Sequence, residues 1–236
     1  MSSNNHLVLK RLYEDIVVGA FSFGTKLGEE QLVARYGVKR HVLREAFGQL
    51  EELGLVEHVP NRGVFVREPS PSEVRELFEI RELLEIHAAK SMTLPVSPEF
   101  INALREVQAR HSAAARAAQY REVLHLNTEF HRIQYAACGN ETLMSAIEGY
   151  AVRTHLISAM KFGDATTMEI VIGQHEEIID AMSGDDRDRL ALAIRSHFDL
   201  ARIDQYEQQY LIRHGEDSQS AKANRPRHRI GVAAVS

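Results

Sequence analysis

The chain has 236 residues, 44% of them hydrophobic and 26% charged, with a formal net charge of −5. That size suits two modest domains at roughly 100–200 residues each, and the balance excludes a chain disordered throughout. Cys138 is the sole cysteine, which excludes an intrachain disulfide and a thiolate zinc cluster.

No apolar run approaches the roughly 20 residues of a bilayer crossing, and the start, MSSNNH, has no charged-then-apolar secretory pattern. A cytoplasmic protein with no membrane partner is expected. The acidity is uneven: residues 1–67 hold nine Lys and Arg against eight Asp and Glu, and the rest holds 19 against 25.

In chain order, Leu7, Leu12, Ile16 and Val17 space an amphipathic helix over 7–21 that stops near Gly19. Glu29 to Tyr36 reads as a short second helix with Leu32 and Val33 inward, and Gly37 makes a turn. A third helix runs from Lys39 to Leu53 and ends at Gly54, which suits a left-handed C-cap. Leu55–Val59 and Val64–Arg67 read as two strands joined by Pro60-Asn61-Arg62-Gly63. Helix, helix, turn, helix and hairpin is the order of a winged helix-turn-helix, which the sequence assigns to residues 1–68.

Residues 69–72, Pro-Ser-Pro-Ser, form a linker ending in a helix N-cap. Residues 73–213 read as an all-α bundle of about six helices, placed at 72–92, 98–117, 119–137, 141–162, 165–183 and 185–211. Residues 214–236 lack periodicity and read as a disordered tail. The fold class is therefore mainly α, a winged helix-turn-helix followed by a helical bundle.

At roughly 100° per residue, Val42, Leu43, Ala46, Phe47 and Leu50 share one arc of the third helix. Arg40, His41, Arg44, Gly48 and Gln49 take the other side. Arg40 and Arg44 stand one turn apart near the helix start, where a recognition helix meets base edges. A guanidinium can donate two hydrogen bonds to guanine O6 and N7, so this pair is expected to read double-stranded DNA. Lys39 and the helix N-terminus favour phosphate, and Arg62 at the hairpin tip suits backbone or minor groove.

Among 12 histidines, one constellation stands out. Asn127 and His131 lie four apart on one helix face, and His175 and His197 lie on later helices that can project into a shared interior. Three imidazoles with one oxygen ligand suit a divalent ion such as Zn²⁺ or Ni²⁺, with positions left open.

The stretch from Leu27 to Phe47, LGEEQLVARYGVKRHVLREAF, with LGLV from Leu53 and PNRGVFV from Pro60, resembles the DNA-binding half of the GntR family of bacterial regulators. LFEIRELLE from Leu77 resembles the opening helix of the family's FadR-like branch, whose ligand domain is called FCD. The resemblance implies operator contacts by Arg40 and Arg44, assisted by Lys39, His41 and the wing around Arg62 and Gly63. Lys39, His41 and Val42 depart from the Ser or Thr, Thr and Pro usual there, and Glu30 stands where some members carry a DNA-contacting Arg.

The resemblance extends to the Asn127, His131, His175 and His197 set, with Asn127 replacing the commoner Asp. It implies a metal at the floor of a pocket for a small organic or sugar acid, and Arg153 is the candidate partner for a second carboxylate. A homodimer reading a pseudo-palindrome, acting as a repressor or activator, is the expected assembly. Two alternatives stay open, a regulator for which the metal itself is the signal and a metal-dependent enzyme. Against the enzyme, His175-Glu176 lacks the following histidine of a helical protease motif, and no poised nucleophile appears.

Overall fold

The computed structural model describes residues 3–198 and 200–215. The first unit comprises α1 (Ser3–Val17), α2 (Glu29–Tyr36), α3 (Arg40–Glu52), β1 (Val56–Val59) and β2 (Gly63–Val66). Its core forms because each helix offers one apolar stripe: Leu12 and Ile16, Leu32, then the α3 arc of Val42, Leu43, Ala46, Phe47 and Leu50 are all buried. Gly37, at φ 66°, ends α2 by donating its backbone N–H to the Val33 carbonyl. The strands pair antiparallel with Val56 opposite Val66, and Asn61 and Gly63 turn the hairpin with positive φ.

Two bounds differ from expectation. α1 begins at Ser3 and ends at Val17, where 7–21 was predicted; Asn5 bonds to Glu45 at 2.7 Å, and Gly19 turns the chain at φ 82°. The helix predicted over 185–211 is two helices.

The second unit is helical: α4 (Pro71–Ser91), α5 (Pro98–Arg116), α6 (Tyr120–Ala136), α7 (Glu141–Ser158), α8 (Ala165–Ser183), α9 (Arg187–His197) and α10 (Leu200–His214). Among the described residues the linker is thus followed by seven α-helices, not six. Phe198 causes the break: it leaves the helical path at ψ 100° so that its ring can bury against Phe78, with centroids 6.4 Å apart. Ser70 caps α4 by accepting from the Glu73 amide, and Pro71 follows in the first turn. Of the tail predicted over 214–236, residues 216–236 lie outside the described residues; His214 ends α10 and bonds to Glu68.

The two units share buried surface. Leu124 of α6 and Leu156 of α7 belong to the apolar cluster of the first unit. Arg121 of α6 pairs with Asp15 of α1, which is only 4% exposed and also receives Arg35 and Tyr36 at 2.7 Å each. Burial alone would raise the pKa of Asp15. The Tyr36 hydrogen bond, the bond and charge of Arg121 and the charge of Arg35 together hold it below the ordinary carboxylate range.

Candidate functional site

The apolar arc of α3 faces the core, so Arg40, His41 and Arg44 face outward. Lys39 occupies the extended N-cap position just before them. Arg44 donates from Nε and Nη2 to the two carboxylate oxygens of Glu29, at 2.7 and 3.1 Å, and Arg40 donates to Glu30 at 3.2 Å. This pairing with Glu29 holds the Arg44 fork in a bidentate arrangement, the kind a guanidinium can also offer to guanine. The hydrogen bond from Arg44 lowers the Glu29 pKa against the opposing effect of burial, with the charges of Arg44 and Arg40 adding to it.

A groove of about 600 Å³ separates α3 from the hairpin and is lined by Arg44, Gly48, His58, Arg62 and Gly63. Arg62 lies over the Phe65 ring at 5.3 Å. Lys26 also lines this groove and bridges to Phe65. Sequence reading missed it, because a lysine in a loop carries no pattern that ties it to a hairpin 37 residues away.

In the helical unit, His131 of α6, His175 of α8 and His197 of α9 bring one ligand atom each within 4.8 Å of one another. Each ring is steered by a glutamine amide that sequence reading did not single out. His175 Nδ1 bonds to Gln108 Oε1 at 2.8 Å, His131 Nδ1 to Gln134 Oε1 at 2.9 Å, and His197 Nδ1 to Gln174 Oε1 at 3.2 Å. Gln108 and Gln174 donate their nitrogens to the carbonyls of Ile172 and Ser196, so their oxygens must face the imidazoles. An amide oxygen accepts, so at His175 and His197 the ring proton sits on Nδ1 and Nε2 is left as the acceptor nitrogen.

His131 Nε2 lies 3.2 Å from His197 Nε2. Nitrogens on a tetrahedral ion at 2.0–2.1 Å stand about 3.3 Å apart, close to that spacing. Asn127 Oδ1 is buried without a hydrogen-bond partner among the described residues and lines the same cavity. The donor set, three imidazole nitrogens and one orphaned amide oxygen, fits a divalent ion. A fourth imidazole, His111 of α5, packs 5.0 Å from the His175 ring.

His131 and His197 line a cavity of about 440 Å³ between α4, α6, α7, α8 and α9, with His175 fully buried beside them. Arg153 does not line it. That residue is exposed at the junction of the units, over the Tyr150 ring and beside Gly54, because its position on α7 turns it away from the bundle interior. The cavity's own arginines are Arg81 and Arg132. Arg81 is ion-paired to the buried Glu85 at 2.8 Å, and the other Glu85 oxygen accepts from the Tyr135 hydroxyl. Burial and the Glu85 charge push the Tyr135 phenol well above its ordinary range, so it stays a donor.

Several cavity residues also reach the other unit. His155 of α7 lines the cavity and is hydrogen-bonded through Nδ1 to the hydroxyl of Tyr13, on α1. Burial and the charge of Glu14 raise the Tyr13 pKa far enough to keep that proton in place.

Comparison with known proteins fits both halves. Residues 6–66 match the profile of "Bacterial regulatory proteins, gntR family", and residues 76–200 match the FCD domain. The chain belongs to the GntR family of regulators, in its FCD-bearing branch. This GntR protein is 26% identical to the HTH-type transcriptional repressor RspR of Escherichia coli over 193 residues, covering 82% of this chain and 85% of that one. It is 26% identical to a probable D-xylose utilization operon transcriptional repressor of Paenarthrobacter nicotinovorans, covering 78% and 80%. McbR/YncC of E. coli has the same fold, with a TM-score of 0.74, 20% identity, and coverage of 89% of this chain and all of that one. As a GntR-family member it is a DNA-binding transcriptional regulator and not an enzyme.

Proposed function

We propose that this regulator binds a pseudo-palindromic operator as a homodimer, and that a small carboxylate held at a divalent metal in the FCD cavity sets its operator affinity. Arg40 and Arg44 read base edges, Lys39 and His41 contact the adjoining backbone, and Arg62 and Gly63 of the wing complete the contact. His131, His175, His197 and Asn127 hold the ion, Zn²⁺ or Ni²⁺ by the chemistry of the donors. Bound there, the ion supplies a positive charge and open positions for carboxylate oxygens.

The observation that carries the reading is the convergence of three imidazoles from three helices, with the Nε2 atoms of His131 and His197 3.2 Å apart and each Nδ1 beside a glutamine oxygen. His155 supports the regulatory half, since it borders the cavity and bonds to α1 of the DNA-binding unit. An acid that binds one arrangement of the units better than the other shifts operator occupancy by that difference, typically about 1–3 kcal/mol. Two relatives are named as repressors, and repression is the mode proposed here.

The test is selection of DNA fragments by the purified protein, with and without zinc and a panel of small carboxylates, with sedimentation to establish the dimer. An enriched inverted repeat, lost in Arg40→Ala and Arg44→Ala while zinc affinity is retained, is the expected result. No enrichment over random fragments at moderate salt would overturn the DNA-reading assignment. A second reading, in which the ion alone is the signal, rests on the same histidines; it is favoured if zinc changes operator affinity and no acid changes it further.

A further inference from the structure

We infer that the effector is a monocarboxylate with an apolar body, an aryl or branched-alkyl acid, and not a sugar acid or a dicarboxylate. This rests on the metal-and-acid reading above and narrows it. The ground is how charge is already spent around the cavity.

Arg81 is the one arginine in the cavity wall that is not exposed, and its guanidinium is matched by Glu85, 1% exposed, at the opposite end of a helical turn. Its Nη1 also donates to Thr154 at 2.7 Å, and its plane is flanked by Phe78 and Phe198, at 5.7 and 5.1 Å. A second carboxylate placed there would face Glu85 as well as Arg81. At the rim, exposed Arg132 is offset by exposed Glu148. Formal charges on the lining therefore cancel apart from the histidine centre, and the ion is the single unmatched positive charge a ligand would meet.

The remaining wall is mostly apolar, built chiefly from Met144, Ile147, Ala151, Val152, Val171 and the Phe78 and Phe198 rings. Of the polar groups within it, Thr128 donates to the Leu124 carbonyl, Tyr135 donates to Glu85, and Gln174 is held between Ser196 and His197, which leaves the Ser158 hydroxyl. Most hydroxyls of a sugar acid would lose water here without replacement, at a cost of roughly tenfold or more in affinity for each unsatisfied group. Space suits the proposed class. A dry cavity of about 150 Å³ accepts a benzene ring, so 440 Å³ holds a ring and a short carboxylate arm.

The experiment is calorimetric titration of the zinc-loaded full-length protein with phenylacetate, 3-phenylpropanoate and 4-methylpentanoate against succinate, glutarate and gluconate. Phenylacetamide serves as the control that lacks the anionic head. The apolar monocarboxylates are expected to bind at least tenfold tighter than the dicarboxylates or gluconate, with phenylacetamide weak and all binding lost in zinc-free protein. Tightest binding by succinate, glutarate or gluconate, still dependent on zinc, overturns the inference and leaves the parent reading standing. If none of the acids binds, or binding ignores zinc, the parent reading fails and this one with it. Glu85→Gln gives an independent check: provided it still binds zinc, releasing the Arg81 charge raises succinate affinity relative to phenylacetate by roughly tenfold, and an unchanged ratio counts against the charge argument.

Discussion

Gln108 accepts from His175 through its oxygen and donates to the Ile172 carbonyl through its nitrogen, with Ser112 as a further neighbour. Both contacts are buried, so the amide cannot rotate without stranding a donor. The His175 tautomer is therefore set by a side chain that never touches the ion. Gln108→Leu keeps a similar volume and removes the acceptor. Its expected effect is a fall in zinc affinity of about 10–100-fold, measured by competition with a chelating dye, with metal-free operator binding unchanged. Unaltered zinc affinity would mean the amide is structural filling and the histidines do not need steering. Nothing in the sequence marks Gln108, Gln134 or Gln174, because an amide has no periodic signature and its role depends on which ring the fold places beside it.

At the scale of elements, legibility follows how local the causes are. α2 was readable to its bounds because Gly28 and Gly37 enclose it, and the α3 arc because five apolar positions recur at helical spacing between charged ones. The break between α9 and α10 was not readable. No Gly or Pro marks it, and its cause is Phe198 burying against Phe78, 120 residues earlier in the chain. The choice of cavity arginine failed for a related reason, since Arg81 and Arg153 look alike until helix faces are known. The α3 arc also carries a quantitative expectation. Leu50 is fully buried, and Leu50→Ala is expected to destabilise the DNA-binding unit by about 2–5 kcal/mol, read as a lower urea midpoint by circular dichroism. A shift under about 1 kcal/mol would show that the arc does not bear on a packed core.

For the molecule as a whole, the question is how the cavity and the reading head are joined, and Asp15 and Tyr13 on α1 are two of the contacts. Asp15 has a depressed pKa in the folded protein, so its contribution to stability is fully present above the unfolded-state value, about 4. That contribution is lost as pH falls through the lower folded value, and removing the side chain costs about 1–3 kcal/mol because Arg35 and Arg121 are half-exposed. Asp15→Asn is thus expected to flatten the decline of Tm on acidification below pH 4, and a wild-type slope in the variant would contradict it.

Tyr13 bears on signalling more than on stability. Its hydroxyl is hydrogen-bonded to His155, and Tyr13→Phe deletes that bond while leaving the ring in place between the units. If the bond transmits occupancy of the cavity, the variant retains zinc and acid affinity within about twofold and still binds operator, yet the acid no longer changes operator affinity. Coupling of 1–3 kcal/mol corresponds to a change of about 5–150-fold in wild type, enough for a gel-shift or anisotropy titration to resolve its loss. Reciprocity supplies a second readout that needs no effector: if zinc itself couples to DNA, operator alters zinc affinity in wild type and not in Tyr13→Phe. A variant that responds to acid as wild type does would move the transmission route elsewhere, to the Leu124 and Leu156 packing or to the Arg121 clamp.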